Sequence, residues 1–233
     1  MTRPEPDSRA FADTLRGCFD VVISPLFDVQ VAENLPHIAS DCGVIFTSIN
    51  GVRAWQALGG QVHQPCFAVG EATGRAARAL GFDPICAQGT AADMIPMIIR
   101  AAPTVPLVHA RGRHARGGVA DALVAAGIDT QAVVLYDQKA MSLNKDAISV
   151  LCGNRPVIAP LFSPRSATLF QAQAVIAAPV AVVAMSDAVA ESLEQIAVQR
   201  VDIAAHPSAD SMRRTVQRLL DADRWVEGRE DAQ

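Results

Sequence analysis

The stretch Val44-Ile45-Phe46-Thr47-Ser48-Ile49-Asn50-Gly51-Val52-Arg53-Ala54-Trp55 decides the fold. Val44 to Phe46 is a short apolar run of β-branched and aromatic residues, the pattern of a buried strand. Thr47, Ser48 and Asn50 then place two hydroxyls and an amide where the strand gives way to a helix. Side chains of this kind accept the unpaired N–H groups of a first helical turn, and those same N–H groups attract anions. A single joint of this sort is an ordinary strand–cap–helix turn. A related stretch, Phe162-Ser163-Pro164-Arg165-Ser166, recurs later in the chain and changes the weighing.

Outward from this stretch, strand and helix patterns alternate. Extended segments are expected over 21–23, 66–69, 83–87, 105–110, 130–136, 156–161, 179–185 and 201–205. Helices are expected over 8–15, around Pro36, over 53–58, after Gly74 to Leu80, over 92–101, 119–126 and 142–152, after Ser166 to about Gln173, and over 188–197 and 210–222. Gly59-Gly60, Gly81 and Gly127 stand where helices should stop. Such alternation calls for parallel sheets covered by helices on both faces.

The polar turns also pair across the chain. Ser48 aligns with Ser163, which sets Trp55 on Phe170; Gly70 aligns with Ser186, and Ala72 falls on Ala188. Arg3 aligns with Arg111, and Ala12-Asp13-Thr14-Leu15 then overlays Ala120-Asp121-Ala122-Leu123. The three offsets, roughly 108 to 116 residues, are about half the chain and read as two copies of one unit. The fold class expected is therefore α/β, with two similar domains, each a parallel sheet flanked by helices.

Composition narrows the function. A net charge of −4 argues against a dedicated nucleic-acid binder, which carries a basic excess. Cys18, Cys42, Cys66, Cys86 and Cys152 are odd in number and widely spaced, with no Cys-x-x-Cys pair, so reduced thiols are expected rather than disulfides or zinc. His37, His63, His109, His114 and His206 show no metal-binding pair at helical spacing. No signal core or membrane-length apolar run occurs, so a cytoplasmic protein is expected.

In parallel α/β sheets, ligands bind beyond the carboxyl ends of the strands. The polar turns there are Thr47/Ser48/Asn50, Gly70/Thr73, Arg111/Gly112, Ser163/Arg165 and Ser186. Were the two domains to face one another, these turns would line one cleft. None is a dinucleotide fingerprint or a Walker loop, and no Ser–His–Asp order or carboxylate pair stands out.

Taken in order, Thr2-Arg3-Pro4, Phe46-Thr47-Ser48-x-Asn50-Gly51-Val52, Ala68-Val69-Gly70-x-x-Thr73, Leu135-Tyr136 and Phe162-Ser163-Pro164 resemble uroporphyrinogen-III synthase, from the first residues to about Met212. The resemblance implies two domains joined by a two-stranded linker. The first would combine 1–28 with 140–226, the second would span 32–134, and the crossings would lie near 27–31 and 134–139. It implies conversion of linear hydroxymethylbilane to uroporphyrinogen III, with loss of water and inversion of ring D through a spiro intermediate. No metal or organic cofactor is implied, nor any nucleic-acid or membrane partner, and a monomer is expected.

By the same resemblance Tyr136 corresponds to the tyrosine beside the linker and is the candidate proton donor. A phenol stays protonated at neutral pH and can donate, with a reference pKa of about 10. The competing reading makes Tyr136 an amphipathic linker residue. Arg3, Arg111, Arg113 and Arg116 would meet substrate carboxylates, or else simply be solvated. Thr47, Ser48, Asn50, Gly70, Thr73, Gly112, Ser163 and Ser186 are the remaining candidate substrate contacts, and several of them equally suit helix capping.

Two departures from the family pattern stand out. Family members usually carry an apolar strand before the Thr-Arg-Pro element. Here the chain begins at Met1, so either the start is internal or one domain's sheet lacks a central strand. The turn at Ser186-Asp187-Ala188-Val189 also lacks the glycine and threonines of some relatives. Two rivals stay open: a non-catalytic two-domain protein that closes on a small anion, and a degenerate synthase.

Overall fold

The computed structural model describes residues 1–115, 117–193 and 196–222. The chain divides into two compact units, Met1–Asp28 with Ala140–Gln233, and Val29–Lys139. The boundaries fall inside β1 (Phe27–Val31) and β6 (Thr130–Ala140), which are neighbours in one sheet. The Ala32 N–H donates to the Leu135 carbonyl and the Met141 N–H to the Leu26 carbonyl. As one strand advances the other retreats, so the pair is antiparallel.

The second unit is built on β2 (Gly43–Phe46), β3 (Cys66–Ala68), β4 (Pro84–Cys86), β5 (Leu107–Gly112) and β6. Their order, β6-β5-β2-β3-β4, is parallel throughout. Four helices connect them: α2 (Ile49–Ala57), α3 (Glu71–Arg78), α4 (Ala91–Ala101) and α5 (Val119–Ala125). β2 lies fully buried because both its faces are covered, which is why it reads as an unbroken apolar run. On one face Phe46 meets Trp55 and Phe82 edge-on, with ring centroids 5.9 and 5.4 Å apart. On the other, Ile45 and Phe67 pack with Met94, Ile98, Leu107 and Leu123.

The first unit carries β7 (Val157–Leu161), β8 (Val180–Ala184) and β9 (Arg200–Ile203), parallel and in that order. Its helices are α1 (Glu5–Ala12), α6 (Lys145–Leu151), α7 (Pro164–Gln173), α8 (Asp187–Ala190) and α9 (Ala209–Asp221). Phe11, Ala181, Val183, Met212, Val216 and Leu219 form one core layer. Met1 and Thr2 lie beside 24–26, and the Thr2 hydroxyl reaches the Pro160 carbonyl of β7 at 3.4 Å.

The run β7-α7-β8-α8-β9 repeats the order of β2-α2-β3-α3-β4. Ser48 and Ser163 both N-cap the first helix of their unit, and Gly70 and Ser186 the second. These two aligned pairs thus hold the same structural positions, whereas Arg3 precedes α1 outside any strand and Arg111 lies within β5.

Local expectations needed adjustment. α1 begins three residues earlier than its pattern, because Pro6 suits a first helical turn that Glu5 and Asp7 also favour. No helix forms around Pro36; Leu35 and Ile38 pack on the core from irregular chain instead. The helix expected over 188–197 is the short α8 followed by a 3₁₀ turn, Glu191–Leu193, and 194–195 lie outside the described residues. So do Arg116 and the expected domain end at 226.

Candidate active site

The second unit's strand order reverses direction between β2 and β5, the place where open α/β sheets bind ligands. Three groups of candidate residues meet at the carboxyl ends of β2, β5 and β6. Ser48 caps α2, its hydroxyl accepting the Asn50 N–H at 3.0 Å. Thr47, one residue before it, is hydrogen-bonded to Nε2 of His109 at 3.0 Å. Gly51 lets α2 approach β5, since a Cβ there would come within 2.9 Å of the Ala110 carbonyl oxygen.

A register shift lies between Arg111 and Gly112. Arg111 pairs with Val134 of β6, but Gly112 pairs with Tyr136. The extra residue makes a bulge, so Leu135 and Tyr136 are both buried rather than alternating. It sets the phenol ring over Gly112, where a Cβ would lie 2.6 Å from ring carbons and 3.0 Å from the hydroxyl. The phenol is hydrogen-bonded with Ser48. Burial raises the Tyr136 pKa above the usual phenol value, and the Ser48 bond opposes that rise. Tyr136 is therefore a neutral phenol at physiological pH, with Ser48 placed to bond its oxygen.

His109 lies one strand from Ile45 and is 1% exposed. Burial first, and then the Arg111 charge, push its pKa down to about 4, so its ring is neutral at physiological pH. Nδ1 of His109 and Nε of Arg111 are buried without a hydrogen-bond partner among the described residues. Arg113 by contrast is engaged, its Nε 3.0 Å from Asp137, with His114 3.3 Å from the same carboxylate. Gly70 caps α3 and sits against Gly89, while Thr73 is buried inside α3.

The first unit holds the other candidates. Ser163 closes a capping box with Ser166 at the start of α7. Arg3 stacks over Phe162, its guanidinium carbon 4.7 Å from the ring centroid, and lies 3.4 Å from Asp7. Arg3 and Ser163 thus share one turn through Phe162. Ser186 occupies the N-cap of α8, and its hydroxyl makes no capping bond there. A cavity of about 510 Å³ in this unit, lined by Met1, Val22, Ile158 and Leu219 among others, is touched by none of the candidate residues.

His109 escaped the sequence reading. Its one signal was a polar ring inside the apolar run over 105–110, whose position predicts burial. Among the described residues, no group of three or more His, Cys, Asp or Glu is arranged to hold a metal ion. No helix there is long and apolar enough to cross a membrane.

The fold is that of a two-domain α/β protein, each unit built on parallel strands joined by helices. A family model described as uroporphyrinogen-III synthase HemD matches residues 15–214. The chain belongs to this family, cyclising hydro-lyases of tetrapyrrole and haem biosynthesis. Among solved structures it is similar to uroporphyrinogen-III synthetase from Helicobacter pylori, at 16% identity and a TM-score of 0.64, covering 88% of this chain and 95% of that one. It is also similar to a mutant uroporphyrinogen III synthase from Thermus thermophilus, at 16% identity and a TM-score of 0.52, covering 92% and 94%. At such identities the likeness speaks for the fold alone. No curated protein matches by sequence.

Proposed function

We propose that this chain closes hydroxymethylbilane to uroporphyrinogen III with Tyr136 as the proton donor to the departing hydroxyl. The observation that supports the reading is the buried phenol held between Gly112 and Ser48, in a chain of this family. The leaving hydroxyl is carried on an electron-rich pyrrole, so a proton donor is nearly all the push required. The phenol gives up its proton, the C–O bond breaks and water leaves; the Ser48 hydroxyl steadies the phenolate. The electrophilic carbon then joins the substituted α-position of ring D to give a spiro intermediate. The bond from that position to the ring C methylene breaks, and the methylene re-bonds at the free α-position of ring D, which inverts the ring. The proton released as that ring regains its aromaticity returns to the phenolate, so the donor is regenerated.

Geometry carries the remaining work, because the unassisted chain closes without inversion. The Arg3 and Arg111 guanidiniums suit carboxylates of the flexible substrate. Within the second unit Thr47, Ser48, Asn50 and Thr73, with the backbone at Gly70 and Gly112, supply further contacts, and within the first unit Ser163 and Ser186 do. We place the enzyme in the cytoplasm, a reading that its five free cysteines support, and take it to act as a monomer.

A coupled assay with hydroxymethylbilane tests this. Type III isomer should form above the spontaneous type I product, and Tyr136→Phe should slow it by roughly a hundredfold. Turnover unchanged in that variant removes Tyr136 as donor, and type I product alone removes the reaction.

A further inference from the structure

The geometry around β5 points to His109 as a positioning residue that fixes Thr47 as a hydrogen-bond donor to a substrate carboxylate. The proposal rests on the reading above for the identity of that carboxylate; its first test does not.

His109 stands on β5 and Thr47 just past the end of the neighbouring β2, at the reversal between the two strands. The register pairs Ile45 with His109, so Thr47 lies one pleat further on the same face. The Thr47 hydroxyl meets Nε2 at 3.0 Å. Thr47 is half-buried, so its hydroxyl reaches both the ring and the solvent side of the turn. The ring is neutral, because burial and the Arg111 charge both disfavour the imidazolium.

A neutral imidazole carries one proton, on either nitrogen. Were it on Nδ1, a buried N–H would be left without an acceptor, since that atom has no partner among the described residues. Buried N–H groups left unpaired are rarer than unpaired acceptors, which lose less on burial. The proton therefore sits on Nε2 and donates to Thr47 Oγ1, leaving Nδ1 as a bare lone pair. With its oxygen accepting from the ring, the Thr47 hydroxyl turns its own proton outward. A donor fixed in that direction, on the face that also carries Arg111, favours an anionic oxygen over a neutral carbonyl. Rigid placement by a buried ring also spares the ordering of a free hydroxyl when substrate arrives.

Nitrogen-15 NMR of the histidine side chains in the full-length protein reads the tautomer directly, with the His109 signals assigned by their loss in His109→Gln. The neutral Nε2–H form at pH 7 is expected; an Nδ1–H form or an imidazolium overturns the proposal, whatever the enzyme makes. The second arm is kinetic. His109→Phe should raise KM for hydroxymethylbilane about tenfold, with the larger part of the loss in KM rather than kcat. His109→Gln, whose amide N–H reaches the same oxygen, should lose less. In a Thr47→Val background, His109→Phe should add nothing further. Equal losses in the Phe and Gln variants, or additive losses with Thr47→Val, overturn the positioning role while leaving the proposed reaction standing. Absence of type III product from the unaltered chain overturns the reaction and leaves the tautomer to be judged on its own.

Discussion

Gly112 and Tyr136 face each other across the β5–β6 bulge, with the phenol ring 2.6 Å from where a Gly112 Cβ would sit. No side chain fits between them. Gly112→Ala must therefore tilt the ring away from Ser48 or spread the two strands. Type III product formation in Gly112→Ala should fall by roughly a hundredfold, as far as in Tyr136→Phe. A rate close to that of the unaltered enzyme would show that the phenol's placement is irrelevant to turnover.

Tyr136 is the single tyrosine of the chain, so phenolate absorbance titrates it alone. Its titration should fall above the ordinary phenol range, because burial outweighs the Ser48 bond. Ser48→Ala removes the group that lowers this pKa, so the midpoint should move still higher. The same variant loses the α2 cap and should be less stable by about 1 kcal/mol in denaturant. A midpoint that falls on Ser48→Ala contradicts the hydrogen bond.

His109 gives stability a pH dependence of definite sign. Its pKa is about 4 folded, against about 6.5 unfolded. Between those values the unfolded chain binds more protons at this site, so stability rises with pH through the window. The contribution is complete above the unfolded pKa and is lost as pH falls toward 4, amounting to about 3 kcal/mol. Arg111 is the charged neighbour that deepens the effect. Urea unfolding at pH 4.5 and pH 7 should show a smaller difference in His109→Phe than in the unaltered protein. Equal differences would place His109 in solvent.

The two arginines of the β5 exit should differ. Arg113 is held by Asp137 at an exposed ion pair, an interaction that contributes little, about 0–1 kcal/mol. The buried Nε of Arg111 has no partner among the described residues. Arg111→Ala should raise KM for the substrate about tenfold and Arg113→Ala less than about threefold. Steady-state kinetics decides, and the reverse order would move the carboxylate contact to Arg113.

Val44 to Trp55 shows how much was local. A buried strand, a hydroxyl cap and an amphipathic helix each follow from residues within a turn of one another, so periodicity and capping chemistry revealed them. The pairing of Ser48 with Ser163, and of Gly70 with Ser186, was legible for the same reason: each sits at the N-cap its local sequence specifies. Pro36 misled because a short polar–apolar pattern there satisfies the core without becoming helical.

The bulge at Gly112 and the Thr47–His109 bond were not legible. Both join residues far apart in the chain, and both depend on which strands become neighbours and in what register. Strand order and register are set by packing every helix and strand of the sheet at once, a balance no local pattern records. The chain's own residues determined its elements and their caps. Only the assembled sheet decided that Tyr136 rather than Leu135 meets Gly112, and that a buried imidazole holds the Thr47 hydroxyl.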